Sequence, residues 1–107
     1  SRFSRNCASM TTKALYAGYL VKRGSIVKNW KQRWFALEND GLTLAYYKNK
    51  GDKKRAGVIN TISVQTIICS EECGGIWPQV AELDLSFGIV TKKRTYYCYC
   101  ESRSECL

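Results

Sequence analysis

The chain has no histidine, a single proline and only nine acidic residues among 107. Without histidine there is no Ser-His-Asp or Cys-His pair to activate a nucleophile, and no Gly-rich loop ends in the Lys-Ser or Lys-Thr that cradles a nucleotide phosphate. Glu82 and Asp84 share a strand face beside a loop and read as solubilising charges, as do Glu71 and Glu72, so no carboxylate pair is placed for general acid–base work. No enzyme, no catalytic residue and no cofactor is expected. A metal site is not expected either, because the six cysteines form no Cys-x-x-Cys and have no histidine to join them. No apolar run approaches the ~20 residues that span a bilayer. The first fifteen residues lack the apolar middle of a secretory signal. Together these absences favour a cytoplasmic protein that meets a membrane from outside, peripherally, at the cytosolic leaflet.

What the chain has in excess is positive charge. Seventeen Lys and Arg leave a net charge of +8, and residues 18–55 alone hold ten cations against Glu38, Asp40 and Asp52, a net of +7. A surplus of that size calls for an anionic partner, membrane lipid or nucleic acid. The length allows one domain with a modest core. Cys7, Cys69, Cys73, Cys98, Cys100 and Cys106 are irregularly spaced and accompanied by no Asn-x-Ser/Thr sequon, so they are read as free thiols. Cys98 and Cys100 alternate with Tyr97 and Tyr99 and face the core with Tyr96 as small apolar side chains.

Hydrophobic alternation predicts seven strands, at residues 15–22, 30–38, 42–48, 56–60, 63–68, 83–91 and 95–101. That many in about ninety residues implies a mostly β domain, a sandwich or a strongly bent barrel. Residues 1–14 form an N-terminal tail with at most a helical turn near residues 9–14. Asn39-Asp40-Gly41 reads as a tight hairpin turn in which the glycine supplies positive φ. Lys92-Lys93-Arg94 is a second short connection, and residues 69–79 make the longest loop. Ser102 and Glu105 have the spacing of a helix capping box, so a helix is expected to start there.

The same alternation locates the charge. Gly18, Leu20 and Lys22 share one face of the first strand; Lys31, Arg33, Phe35 and Leu37 share one face of the second; Leu42, Leu44 and Tyr46 share one face of the third. An apolar face turns basic toward the connecting loops, which describes an anion-binding mouth at the open end of a barrel. Between the first two strands, Ile26 and Val27 form an apolar tip with Arg23 and Lys28 on either side. Such a loop dips Ile26 and Val27 into a bilayer while Arg23 and Lys28 join the cations expected to bind the lipid headgroup.

Gly18-Tyr19-Leu20 with Lys22, then Trp30-Lys31-Gln32-Arg33-Trp34-Phe35-Ala36-Leu37, Leu44-Ala45-Tyr46-Tyr47, Gly57-Val58-Ile59 and residues 94–100 follow one another in an order that resembles the pleckstrin homology (PH) domain, over residues 15–107. The resemblance implies a bent seven-stranded β-barrel closed at one end by a C-terminal helix. Here that helix is reduced to at most one turn, which is read as a truncation. The resemblance further implies that Lys22, Lys31 and Arg33 contact inositol phosphates, that Tyr46 donates its hydroxyl or else plugs the barrel, and that Arg55 lies near another headgroup contact. The expected partner is thus an anionic membrane lipid, a phosphoinositide or phosphatidic acid. A protein-interaction module with weak lipid binding is the rival reading. Nucleic acid fits less well, because the cations gather at one end instead of tracking a groove. Trp34 and Phe35 are assigned to packing and Trp77 to the sheet surface, while Trp30 serves the loop base or the interface.

Overall fold

The computed structural model describes residues 16–105. Seven strands run β1 (Tyr16–Arg23), β2 (Trp30–Glu38), β3 (Thr43–Tyr47), β4 (Gly57–Asn60), β5 (Val64–Cys69), β6 (Ser86–Thr91) and β7 (Thr95–Tyr99). Each lies within three residues of the span that alternation predicts. The expected tail and its helical turn lie outside the described residues.

All neighbours pair antiparallel in the order β4-β3-β2-β1-β7-β6-β5, so the first and last strands of the chain meet in the middle of one bent sheet. That junction rests on two register pairs, Val21 with Tyr99 and Lys22 with Cys98. On either side the hairpins are longer: β1 and β2 pair from Tyr16 opposite Leu37 to Arg23 opposite Trp30. The β2–β3 turn is tight because Asn39, Asp40 and Gly41 all take positive φ, at 56°, 53° and 84°. Asn and Asp tolerate that region because their short polar side chains bond locally, so the turn needs more than its glycine.

Alternation also fixes the core. Leu20, Phe35, Leu85, Cys98 and Cys100 are buried together, with Leu44, Tyr46 and Phe87 packed against them. Phe35 is fully buried, and truncating such a side chain typically costs 3–5 kcal/mol. Two details depart from expectation. The strand predicted from residue 83 starts at Ser86, because Leu83–Leu85 close a 3-10 turn in which the Leu85 N–H donates to the Glu82 carbonyl at 3.0 Å. Near the C-terminus, Arg103–Glu105 is a 3-10 turn and the Ser102 hydroxyl meets the Ser104 hydroxyl at 3.1 Å, which occupies the capping side chain with a neighbour two residues away.

The cysteines divide. Cys69, Cys73 and Cys98 are free, but Cys100 is joined in a disulfide, which corrects the free-thiol expectation for that residue. Alternation buried Cys100 correctly; it carries no information about the oxidation state of a buried sulfur.

Candidate functional site: a basic mouth beside the first hairpin loop

The inner faces of β1 and β2 turn basic at the loop end, as the sequence predicts. Lys22, Lys31 and Arg33, with Gly24 and Asn29, line a small recess of about 50 Å³. Lys22 stands directly opposite Lys31 in the β1–β2 register, and Arg33 is two residues further along the same face. The Lys22 ammonium sits 4.9 Å from the centre of the Tyr46 ring and 5.8 Å from that of Tyr96. Burial holds its pKa below the ordinary value, the nearby Arg94 charge pushes it lower, and Arg33 adds to that. Among the described residues the ion pairs are Arg55 with Glu38 and Arg103 with Asp84, and neither reaches this mouth. The cations therefore face one another without a carboxylate between them, an arrangement that an anion relieves.

Tyr46 touches the site through Lys22 and does not itself line the recess. Its ring packs 5.2 Å from Phe35, and burial raises its pKa. It folds across β4, where a Cβ on its register partner Gly57 would lie 2.3 Å from the phenolic oxygen. Gly57 is thus the residue that makes room for the ring.

The loop above the mouth is closed at its root. The Gly24 N–H donates to the Asn29 carbonyl at 2.8 Å, and the Lys28 ammonium donates to the Ser25 carbonyl at 2.6 Å. A Cβ on Gly24 would stand 2.1 Å from the Val27 carbonyl oxygen, so only glycine allows this tight a turn. The outcome is an apolar tip: Ile26 is 91% exposed and Val27 67%.

Four of the headgroup candidates singled out from sequence, Tyr46, Arg23, Lys28 and Arg55, do not line the recess. Arg55 donates to Glu38 at 2.8 Å, and Glu38 also accepts from the Tyr47 hydroxyl at 2.6 Å. Glu38 and Tyr47 belong to the face of the sheet opposite that of Arg33 and Tyr46, which explains why Arg55 is drawn away. Arg23 and Lys28 line a second recess, of about 320 Å³, with Ser25, Arg94, Thr95 and Tyr97. Arg94 is the residue that sequence reasoning missed. Its guanidinium stacks 4.1 Å from the centre of the Tyr96 ring. A tight turn presents it, in which the Thr91 N–H and hydroxyl both donate to the Arg94 carbonyl, at 2.9 and 2.8 Å. The signal was available: the alternation that puts Tyr96, Cys98 and Cys100 on one face puts Arg94 there too.

The aromatics settle as packing. Trp30 lies at the loop base between Trp77, at 5.4 Å, and Tyr99, at 5.5 Å. Trp77 donates its indole N–H to the Ser70 carbonyl at 3.2 Å and rests on the sheet. Trp34 meets Tyr19 edge-on at 4.8 Å. Among the described residues no group of three or more His, Cys, Asp or Glu is placed to hold a metal ion, and no helix is long and apolar enough to cross a membrane.

A bent antiparallel barrel of seven strands, with cations gathered where its first hairpin loop opens, is a small β module built around a basic mouth. The family model described as PH domain matches residues 14–107, and the chain belongs to that family. It is 33% identical over 95 residues to human pleckstrin homology domain-containing family A member 2, a match that covers 89% of this chain and 21% of the relative. The chain spans about a fifth of the length of this relative and of its bovine and mouse counterparts. Among solved structures it is similar to the C-terminal PH domain of pleckstrin in complex with D-myo-Ins(1,2,3,5,6)P5, with a TM-score of 0.63 and 26% identity over 90% of this chain and 87% of that one. The same pleckstrin domain in complex with D-myo-Ins(1,2,3,4,5)P5 matches with a TM-score of 0.58 and 25% identity, over 86% and 85% of the two chains.

Proposed function

We propose that this domain brings its parent protein to the cytosolic face of membranes by binding the phosphorylated headgroup of an anionic lipid, a phosphoinositide foremost, at the Lys22, Lys31 and Arg33 mouth. The observation that carries this reading is the convergence of those three cations on one recess, with no carboxylate paired to any of them among the described residues. One exposed ion pair contributes about 0–1 kcal/mol, so a phosphate needs several cations at once. Arg33 adds a planar fork for two phosphate oxygens, while Lys22 and Lys31 act as compact charges.

A recess of about 50 Å³ takes one phosphate group and leaves an inositol ring above it, against the loop. Such a contact also suits phosphatidic acid, whose phosphate carries no ring. The neighbouring pleckstrin domains bound to inositol pentakisphosphates support the inositide over it. Ile26 and Val27 then enter the bilayer, and burying each contributes about 1.5–3 kcal/mol. Neither the cations nor the tip anchors the domain alone; together they do.

Co-sedimentation with phosphatidylcholine vesicles containing a phosphoinositide or phosphatidic acid tests the reading. Arg33→Ala should lose most of the lipid-dependent binding, and the phosphoinositide vesicles should retain more wild-type protein than the phosphatidic acid vesicles. Equal pelleting of wild type and variant on both would remove the mouth as the binding site.

A further inference from the structure

The β1–β2 loop carries a serine that the lipid mouth does not use. In Lys22-Arg23-Gly24-Ser25-Ile26 an arginine stands two residues before Ser25 and an apolar side chain directly after it. Ser25 is exposed, as is every residue from 25 to 29, and this segment belongs to neither flanking strand. Among the described residues no hydrogen bond holds its hydroxyl, while its carbonyl accepts from the Lys28 ammonium at 2.6 Å. The second recess is built around the same residue: Ser25 lines it with Arg23, Lys28, Arg94, Thr95 and Tyr97, in a volume of about 320 Å³. Among the described residues no carboxylate is paired with any of those three cations. An acceptor hydroxyl, the upstream cation that marks it and a place for the product are thus gathered in one loop.

We propose that Ser25 is a phosphorylation site for a basophilic protein kinase, and that its phosphate turns back among Arg23, Lys28 and Arg94 and releases the loop from the membrane. A kinase of that class reads its substrate by charge pattern, with carboxylates for the upstream arginine and an apolar pocket for the residue after the acceptor. The γ-phosphoryl group of ATP passes to the Ser25 hydroxyl oxygen, the bond to the β–γ bridging oxygen breaks, ADP leaves, and the hydroxyl proton goes to the aspartate base of the kinase. Phosphoserine carries about −1.5 to −2 charges and three acceptor oxygens at neutral pH. The Lys28 ammonium already reaches the carbonyl of Ser25, so a phosphate on that residue lies within its range. Arginine adds charge-assisted bonds from a planar fork. At the membrane the cations beside the tip are then neutralised from within, and a dianion sits next to Ile26, whose 91% exposed side chain is the one meant for the apolar layer. The modification stands apart from the lipid reading; the release rests on the proposed function.

Incubation of the protein with magnesium ATP and the catalytic subunit of the cyclic-AMP-dependent kinase, a basophilic enzyme, tests the site by tandem mass spectrometry. Wild type should carry phosphate on Ser25, and Ser25→Ala should lose that phosphopeptide; no phosphate on Ser25 would overturn the assignment. Phosphoserine placed at residue 25 by genetic encoding gives homogeneous protein for two further readouts. Followed by phosphorus NMR, its second pKa should fall below the ordinary value of about 6 and return toward it in Arg23→Ala/Lys28→Ala. An ordinary value in both proteins would leave the phosphate in solvent and overturn its place in the recess. On phosphatidylcholine vesicles containing a phosphoinositide and phosphatidylserine, the phosphorylated protein should bind about 10- to 30-fold more weakly than the unmodified one, the loss that the added negative charge sets at an anionic surface. Equal binding would overturn the release. If the unmodified protein does not bind these vesicles, the lipid reading fails and the release with it, while the mass spectrum and the phosphorus titration still decide the site.

Discussion

Replacing Lys22 by methionine should move stability and binding in opposite directions. The ammonium is partly desolvated on the inner face of β1 and repelled by Arg94 and Arg33, which is why its pKa is depressed. A charge in that position is a cost to the empty domain. Methionine keeps the length of the stem and most of its apolar contact. It surrenders the cation–π contacts to Tyr46 and Tyr96, each worth about 0.5–1 kcal/mol, but a thioether against the same rings returns about 0.3–1.5 kcal/mol. With those two effects near balance, the relief of burial and repulsion decides the sign. Substitutions that remove an unfavourable charge commonly add ~0.5–2 kcal/mol; at the low end of that range the melting temperature of a domain this size rises by about 2–4 °C. Binding goes the other way. A charge-assisted hydrogen bond to a phosphate contributes about 1.5–3 kcal/mol, so affinity for D-myo-Ins(1,2,3,5,6)P5 should fall roughly 10- to 150-fold. Thermal unfolding followed by circular dichroism and isothermal titration calorimetry read the two effects on one preparation. A variant that melts lower and binds as tightly as wild type would show that Lys22 holds the barrel together and does not serve the mouth.

Ile26→Glu should weaken vesicle binding strongly while leaving titration with the soluble inositol phosphate nearly unchanged; equal losses in the two assays would argue against entry of the loop tip into the bilayer. Gly57→Ala should destabilise the domain by about 1–3 kcal/mol, because the new methyl meets the Tyr46 ring, and the same substitution in a Tyr46→Ala background should cost close to nothing. Equal costs in the two backgrounds, read by denaturant unfolding, would contradict that contact. Burial pushes the Cys98 thiol up to about 12 from an ordinary 9.0. The folded state therefore favours the neutral thiol. Its contribution is complete below about pH 9 and is lost as pH rises toward 12, so Cys98→Ala should show a shallower alkaline loss of stability than wild type; parallel curves would mean that Cys98 does not govern it.

The strands were legible because each buries one face, so a period of two is written into Leu20 and Lys22, Arg33 and Phe35, Leu44 and Tyr46. That same rule foretold that cations and core would share a face. At two places it reaches further than the strands' apolar pattern. Arg23 follows Lys22 and must point the other way, so the pleat separates the two from a single headgroup. Arg94 is in phase with Tyr96 and Cys98 although it lies in a short connection, where alternation is not usually traced. Other departures were beyond pattern. The Arg55 to Glu38 pairing depends on which carboxylate a flexible loop brings within reach. The turn at Leu83–Leu85 satisfies backbone bonds that a run of apolar residues does not reveal.

The narrow junction between β1 and β7 has a mechanical consequence. The two halves of the barrel are fastened there by two register pairs, and one of those pairs contains Lys22. Arg94 comes from the far half, at the turn between β6 and β7, and its charge is felt by Lys22 across the gap. An occupant gripped from both banks would rivet the weakest joint of the molecule, so the empty domain should breathe along that line and the loaded one should not. Signal and stiffness would then be the same event.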